Sequence, residues 1–503
     1  MIPLIFADTG QFEAVRTLLK NNGYTTNGIC SSLKIEFLDE YPTKAKENDQ
    51  PRPIGSALDV LLSLFFEGGL VTRKRMETYL GEKAYEDLAS LGLVAPLEGD
   101  TCFATVLMYP VNDVYICSDR WSNPDGSKFQ PFDDIVYSAR SITTQRFLRL
   151  VPASPCDTLL DLCSGTGVFA LVSAAHAKHA YAFDIAERST KFAEFNRRLN
   201  GIENVTCATG DLYEPAGDLT FDRIIAHPPY VPVLKNELIF QDGGDDGETV
   251  LRRVVGDLPK CLRPGGRLYC SSLGSDRHQA PFERRIREWL SGAEQEFDIA
   301  VIVRSVRDPQ DYAVRNLLRG TGDVAELKQW EALFRGKRIE RLVYANIVIQ
   351  RHAEPRRTFT IRRQMGHGFG HQEFDWMLEW ETAATRPDVL RKILSSRLRT
   401  PSHTELHTKY EIAEGEWKPS AYSLESAYPF EVKADVEAWS AFLTGRAQGQ
   451  TGLELLEELK REEILNPETP PEEFADALTA LISGGFLESG AFPLPRALVK
   501  ATA

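Results

Sequence analysis

The sequence predicts an α/β protein whose centre is a doubly wound sheet, flanked by an N-terminal α+β domain and a C-terminal domain of strands and helices. The chain has 503 residues, enough for about three domains. From residue 157 to about 350, apolar strand-like runs alternate with amphipathic helices. Before that region the pattern is helices followed by a hairpin, and after it the alternation stops.

The expected domain boundaries follow from these changes of pattern. The first domain covers 1–125 and resembles a winged helix, the central domain covers 126–352, and the accessory domain covers 353–503. We expect the terminal domains to be able to form a homodimer interface. The strand-like runs of the last domain are Thr358–Arg363, Glu373–Trp380, Thr404–Glu411 and Tyr428–Ala434.

Composition limits the partners and the compartment. The net charge of −14 disfavours nucleic acid as a partner and favours a cationic substrate. We find no signal peptide and no apolar run of the roughly 20 residues that a membrane span needs. The eight cysteines are dispersed, as in reduced proteins, so we expect a cytoplasmic protein without a membrane partner.

The central sheet is predicted strand by strand. A capped helix, Ser141–Leu148, precedes the sheet and is placed to close over a bound cofactor. A clear helix, Ser189–Leu199, carries its apolar residues on one face and ends at Asn200-Gly201. The predicted strands are 158–162, 180–184, 205–208, 221–226, 267–272, 297–303 and 342–350.

The stretch D-L-C-S-G-T-G, residues 161–167, joins the first strand to a helix through a tight glycine turn. With Asp184 at the end of the next strand, it could be a dinucleotide fingerprint of an NAD enzyme. Two features disfavour that interpretation. Asp161 is placed to meet a cationic amino group, and Cys163 replaces the first glycine.

This loop resembles that of the class I S-adenosylmethionine-dependent methyltransferases. The resemblance implies a loop that holds the methionine part of the cofactor, with Asp184 on the ribose hydroxyls and Asp211 on the adenine amino group. The product would be S-adenosylhomocysteine. The cofactor-binding residues so implied are Asp161, Cys163, Ser164, Gly165, Gly167, Asp184, Ile185, Asp211, Leu212 and His227.

The segment His227-Pro228-Pro229-Tyr230 follows the strand Phe221–Ala226. It resembles the N-P-P-Y motif of methyltransferases that modify planar nitrogens, which are glutamine amides in release factors and ribosomal protein or the exocyclic amines of bases. The resemblance implies that residue 227 and the carbonyl of Pro228 accept the two amino protons. Tyr230, with Pro229 beside it, would stack on the planar group.

His227 stands where that motif has asparagine. A neutral imidazole accepts one hydrogen bond, and it can also take a proton, which an amide cannot. Two possibilities follow from this replacement. Either the nucleophile is still a planar nitrogen, with slightly changed chemistry, or the catalytic function is altered or lost. A guanidinium acceptor, which must lose a proton, would suit a histidine.

The loop after the motif is acidic, with Asp242, Asp245, Asp246 and Glu248 among glycines. These acids could be a solvated cap of the next helix, or they could bind a cationic substrate through paired carboxylates. The flanked architecture and this loop are also similar to the free-arginine N-methyltransferases of nitrosourea antibiotic biosynthesis.

The histidine pairs His367/His371 and His403/His407 lack a third ligand, so we predict no metal site. Our first hypothesis is an N-methyltransferase for a small, cationic, planar nitrogen substrate such as an arginine guanidino group. The alternative is a methyltransferase of RNA or of a protein glutamine. A third is a regulatory protein that binds the cofactor without turnover.

Overall fold

The computed structural model describes residues 2–41, 53–234, 238–319 and 324–495. The N-terminal part combines short helices with two small antiparallel sheets. Its helices are Thr9–Asn21, Thr26–Leu33, Ala57–Leu61, Arg73–Leu80 and Ala84–Ser90. Its strands are β1 (Leu70–Thr72), β2 (Val94–Pro96), β3 (Thr101–Ala104), β4 (Leu107–Val111) and β5 (Val114–Ser118).

The central part alternates strands with helices, as expected from the sequence. Its strands are β6 (Cys156–Leu162), β7 (Ala177–Asp184), β8 (Val205–Thr209), β9 (Phe221–Ala226), β10 (Leu262–Arg277), β11 (Phe297–Arg307) and β12 (Ile339–Arg351). Its helices are Ile142–Leu148, Val168–Ser173, Glu187–Asn200, Thr249–Gly256, Leu258–Cys261, Phe282–Glu288, Pro309–Arg319 and Val324–Gly336.

The C-terminal part adds further strands and helices. Its strands are β13 (Thr360–Met365), β14 (Arg397–Arg399), β15 (Thr404–Ala413), β16 (Glu416–Ser426), β17 (Phe430–Val436), β18 (Gln448–Thr451) and β19 (Glu488–Ser489). Its helices are His371–Ala384, Val389–Ser395, Ala438–Arg446, Gly452–Arg461 and Pro471–Ser483.

One sheet of 11 strands runs through the molecule in the order β15-β16-β17-β13-β11-β12-β10-β9-β6-β7-β8. Strands β6 to β10 are parallel, whereas β12 lies antiparallel between β10 and β11. A dinucleotide fold of the usual order has six parallel strands, so this antiparallel strand disfavours the NAD interpretation. Strand β13 pairs with β11, so the sheet continues across the expected boundary between residues 352 and 353.

The sheet places a crevice at its switch point. From β6 the chain moves to β7 and then β8 on one side, and it returns to β9 on the other side of β6. The carboxyl ends of β6 and β9 therefore lie side by side where the connections diverge. Ligands of open α/β sheets bind at this point.

The N-terminal part is tied to the crevice by Asn196, which is fully buried in the helix Glu187–Asn200. Its side-chain amide donates to the carbonyl of Thr166 at 3.0 Å and to that of Cys117 at 3.1 Å. Its carbonyl accepts from the Cys117 amide at 2.8 Å. One side chain thus joins the glycine loop to strand β5.

The segment Glu373–Trp380 was expected to be a strand, and that prediction was wrong, because it lies inside the helix His371–Ala384. Phe374, Trp376, Leu378 and Trp380 alternate along the sequence, but Met377 between them is buried as well. A helix that is buried on most of its surface does not show a single apolar stripe. No described helix is both long and apolar enough to cross a membrane.

Candidate active site

The glycine loop after β6 has the backbone conformation that its residues permit. Cys163, Gly165 and Gly167 all have positive φ, of 55°, 53° and 75°. A Cβ on Gly167 would lie 2.8 Å from the Cβ of Ala193, so a side chain there would collide with the neighbouring helix. A Cβ on Gly165 would meet nothing within 4 Å, which leaves space for a ligand against the loop.

Asp161 lies beneath this loop, fully buried at the end of β6. Its Oδ2 accepts a hydrogen bond from the Ala170 amide at 3.1 Å. Its Oδ1 is buried and has no hydrogen-bond partner in the described part of the chain. Burial raises the pKa of Asp161 well above its ordinary value, and the nearby Asp184 raises it further. A buried carboxylate with one free oxygen suits a cationic ligand group.

Asp184 ends strand β7, as expected, and two backbone amides fix its carboxylate. Gly165 donates to Oδ2 at 2.8 Å, and Ala186 donates to Oδ1 at 2.9 Å. Burial raises the pKa of Asp184, although both amide donors lower it. Ile185, next to it, exposes 58% of its surface beside the same crevice. The two residues can therefore meet the hydroxyls and one face of a nucleoside.

Asp211 follows β8 and is paired with a residue that the sequence did not single out. Nη2 of Arg253 donates to Oδ2 of Asp211 at 2.8 Å. Leu212 beside it is nearly buried, with a φ of 52°. The ion pair leaves Oδ1 of Asp211 for an amino group. Arg253 lies 42 residues along the chain in a helix, so no local signal marks it.

His227 stands at the carboxyl end of β9, and aromatic rings surround its imidazole. The rings of Phe147 and Phe169 meet it edge to face at 5.7 and 6.3 Å, and that of Tyr230 stacks at 5.8 Å. Its Nε2 is buried, and no described residue forms a hydrogen bond with it. Burial first, and then the charge of Arg304, lower the pKa of His227 to about 4. The imidazole is therefore neutral at physiological pH, and a neutral imidazole has one nitrogen that can accept a hydrogen bond.

Asp184, Asp211, His227 and the glycine-loop residues 163–166 line one cavity of about 470 Å³, a size that suits a cofactor and one reacting group. Asp161 is not among the lining residues. Pro228, Pro229 and Tyr230 form one wall, and Ser164 belongs to the wall that the glycine loop forms. The helix Ile142–Leu148 begins at Ser141, whose hydroxyl caps it by accepting from Thr144. Lining residues that the sequence analysis did not name are Tyr137, Thr143, Thr144, Phe169, Phe240 and Gln241.

Most acids of the loop 241–248 are paired within this chain. Lys337 contacts Asp245 at 2.8 Å, and Arg277 contacts Asp246 at 2.7 Å. Glu248 is fully buried, and its carboxylate forms a two-point pair with Arg285.

Hydrogen bonds from the Ser275 amide and hydroxyl, at 2.7 and 2.8 Å, complete the environment of Glu248. Of the four acids, only Asp242 lines the cavity, and its Oδ1 accepts from the Gly244 amide at 2.9 Å. The interpretation of Asp245, Asp246 and Glu248 as substrate ligands is therefore not supported, because their charges are already neutralised by basic side chains.

The residues fit S-adenosylmethionine. Asp161, at the end of β6 beside the glycine loop, keeps a buried oxygen without a hydrogen-bond partner, and Gly165 leaves room for the chain of the ligand. Asp184 presents a fixed carboxylate for hydroxyl donors, and Asp211 with Leu212 lines the far end of the same cavity. The group that these residues would hold carries a positive charge at one end and a nucleoside at the other.

Comparison with known proteins agrees with this geometry. Residues 134–292 match the family described as Methyltransferase small domain. The chain is 35% identical over 158 residues to the ribosomal protein uL3 glutamine methyltransferase of Bradyrhizobium diazoefficiens, a match covering 28% of this chain and 49% of that protein. It is 34% identical over 126 residues to the release factor glutamine methyltransferase of Thermodesulfovibrio yellowstonii, covering 22% of this chain and 45% of that protein.

These matches span about half the length of the curated relatives. Among solved structures, ribosomal protein L11 methylase from Lactobacillus delbrueckii subsp. bulgaricus matches at 19% identity and a TM-score of 0.25, over 45% of this chain and 90% of that one. The central part of this chain therefore matches the methyltransferase small domain and is similar, over about half of their length, to protein glutamine methyltransferases.

Proposed function

We propose that this chain is an S-adenosylmethionine-dependent N-methyltransferase that methylates the side-chain amide of a glutamine in a protein. The matched relatives carry that activity in their names, for ribosomal protein uL3 and for a release factor. The first hypothesis of a small cationic acceptor is not supported. A protein glutamine as the methyl acceptor, which was the alternative hypothesis, agrees better with the names of the relatives. It also agrees better with the loop, because Asp245, Asp246 and Glu248 are already paired with basic side chains.

One observation carries the proposal: the buried, unpartnered Nε2 of a neutral His227 beside the ring of Tyr230. A carboxamide is planar, uncharged and rich in N–H donors, so it can stack on the tyrosine while donating to the imidazole. A guanidinium would bring a positive charge beside His227, whose imidazole is neutral and whose pKa the charge of Arg304 already lowers. The uncharged acceptor therefore fits the site better.

The chain's own residues would act by positioning. His227 Nε2 accepts one N–H of the amide, the carbonyl of Pro228 accepts the other, and Tyr230 holds the plane of the group. This arrangement points the nitrogen lone pair out of the amide plane and into the cavity. When bound, S-adenosylmethionine supplies an electrophilic methyl group. In the net reaction a carbon–sulfur bond breaks, a carbon–nitrogen bond forms, and one amide proton leaves to solvent.

The proposed partner is a protein that presents one glutamine side chain to the cavity. A homodimer through the terminal domains finds no support in the relatives, and we do not include it. RNA is not included either, because the net charge of −14 disfavours a nucleic-acid partner.

The test uses the full chain with isotopically labelled S-adenosylmethionine and three separate acceptor pools. These are cell protein, total RNA, and a mixture of free amino acids and amines. We expect the label in protein, at a position that resists the mild base that cleaves methyl esters. Label in the amino acid and amine pool alone would contradict the proposal.

A further inference from the structure

Arg304 occupies an irregular position near the carboxyl end of β11. Val303 pairs with Ala345 on strand β12, and Ser305 pairs with the very next residue, Tyr344. Arg304 is therefore the extra residue of a β-bulge. Bulges beside functional sites redirect a side chain that a regular strand would point elsewhere.

The guanidinium of Arg304 is buried without a counter-charge. Its Nε and Nη2 are inaccessible to solvent, and no described residue hydrogen-bonds to either nitrogen. No carboxylate of the described chain forms a salt bridge with Arg304, in contrast to Arg277 and Arg285 a few strands away. Burial lowers the pKa of Arg304. A buried charge of this kind is costly, and such groups concentrate at functional sites.

Arg304 does not itself line the cavity, but it interacts with Tyr230, which does. Tyr230 of the motif and Tyr344 of β12 interact with its charge, and Arg146 of the helix Ile142–Leu148 adds a second positive charge. Arg304 also acts on His227, since its charge contributes to the lowered pKa of that imidazole. None of the groups that chiefly shift the pKa of Arg304 or of His227 is a carboxylate.

We propose that Arg304 sets the charge selectivity of the acceptor site, as a positioning residue that acts through His227 and Tyr230 to admit neutral planar nitrogens and to reject cationic ones. This inference rests on the proposed function, whose acceptor is a neutral amide. The inference adds the residue that distinguishes neutral from cationic acceptors.

Two physical effects follow from one uncompensated positive charge. A guanidinium or ammonium acceptor entering beside Tyr230 is repelled, because like charges in a poorly solvated site are weakly screened. In addition, protonation of His227 is disfavoured, so its Nε2 stays an acceptor for the amide N–H. Both effects depend on charge and not on a specific contact with the substrate.

The variants separate charge from shape. Arg304→Met removes the charge with little change of length, and Arg304→Lys keeps the charge. Arg341→Met is the matched control, because Arg341 is exposed on the neighbouring strand β12. Circular dichroism confirms folding of each variant before use.

The first measurement is binding of two fluorescent peptides that differ only in glutamine or arginine at the central position. The protein is saturated with S-adenosylhomocysteine, so no turnover occurs. We expect the wild type, Arg304→Lys and Arg341→Met to prefer the glutamine peptide at least about tenfold. In Arg304→Met the preference should fall about tenfold. An unchanged preference in Arg304→Met would overturn the proposal.

The second measurement is the pKa of His227 by NMR, which needs no acceptor and so remains informative if the proposed function fails. We expect this pKa to rise above about 4 in Arg304→Met, by only part of the shift because burial, the larger cause, remains, and to stay low in Arg304→Lys. If Arg304→Met does not fold, a raised His227 pKa in Arg304→Lys overturns the charge effect. Wild-type protein that transfers no methyl to glutamine would instead refute the proposed function.

Discussion

The imidazole of His227 lies 5.8 Å from the ring of Tyr230, centre to centre, with the two planes 27° apart. Two residues separate them along the chain, and both are prolines that hold the turn between them. This pairing gives a planar acceptor a hydrogen-bond partner and a stacking partner in one rigid unit. Histidine in place of asparagine therefore still offers an uncharged hydrogen-bond acceptor, because the imidazole is held neutral.

If His227 acts only as an acceptor, asparagine should replace it and alanine should not. We expect His227→Asn to retain kcat within about tenfold, since the amide oxygen can accept the same N–H. His227→Ala should lower kcat about 100-fold, the size of effect seen when one positioned hydrogen bond is removed. The measurement is steady-state methyl transfer to a glutamine peptide. Equal activity of His227→Ala and the wild type would contradict the role.

The lowered pKa of His227 predicts a stability that depends on pH. The folded protein takes a proton on this ring only near pH 4, and the unfolded chain does so near 6.5. The contribution of the neutral His227 to the free energy of unfolding is complete above pH 6.5 and is lost as the pH falls toward 4. The shift corresponds to about 3 kcal/mol of unfolding free energy.

Urea unfolding of the wild type and of His227→Asn, at pH 7 and at pH 5, measures this difference. We expect the wild type to lose more stability than the variant between the two values. A parallel loss in both proteins would show that His227 is not the group responsible.

Asp161 should control cofactor affinity in a pH-dependent way. Its pKa is raised, so at low pH the carboxyl is neutral and cannot pair with the cationic amino group of the ligand. Affinity for S-adenosylmethionine should therefore increase as the pH rises through that pKa. Asp161→Asn should bind about 10- to 100-fold more weakly, with little dependence on pH. Calorimetric titration at several pH values tests this, and identical curves for both proteins would contradict it.

Glu248 should be needed for stability and not for substrate binding. Its two-point pair with Arg285 is buried, so Glu248→Gln leaves the Arg285 guanidinium without its carboxylate counter-charge. We expect a loss of about 3 kcal/mol in unfolding free energy. Asp245→Asn, on the exposed pair with Lys337, is the control and should cost at most about 1 kcal/mol. A raised KM with unchanged stability in Glu248→Gln would restore the substrate-binding interpretation.

The sequence predicted the parts of the site that are local in the chain. The glycine loop, Asp184 and the H-P-P-Y segment each follow a strand directly, and their geometry depends on a strand end and a turn. The helix before the loop was expected for the same reason, since Ser141 is a cap within its own turn.

Features that depend on distant partners could not be predicted. Glu248 is neutralised by Arg285, 37 residues away, so the sequence alone shows an acidic loop where the structure has a buried ion pair. Arg304 lies in a bulge whose register exists only once β11 and β12 pair. The helix at 371–384 was mistaken for a strand because a buried helix and a buried strand share an apolar pattern.

The central claim, transfer of a methyl group to an uncharged amide nitrogen, is tested most directly by locating that methyl group. Protein from cells is incubated with the full chain and isotopically labelled S-adenosylmethionine, digested, and sequenced by tandem mass spectrometry. The account predicts the label on the side-chain nitrogen of a glutamine, and its loss in His227→Ala. A label on the guanidino group of arginine or the amino group of lysine would contradict it.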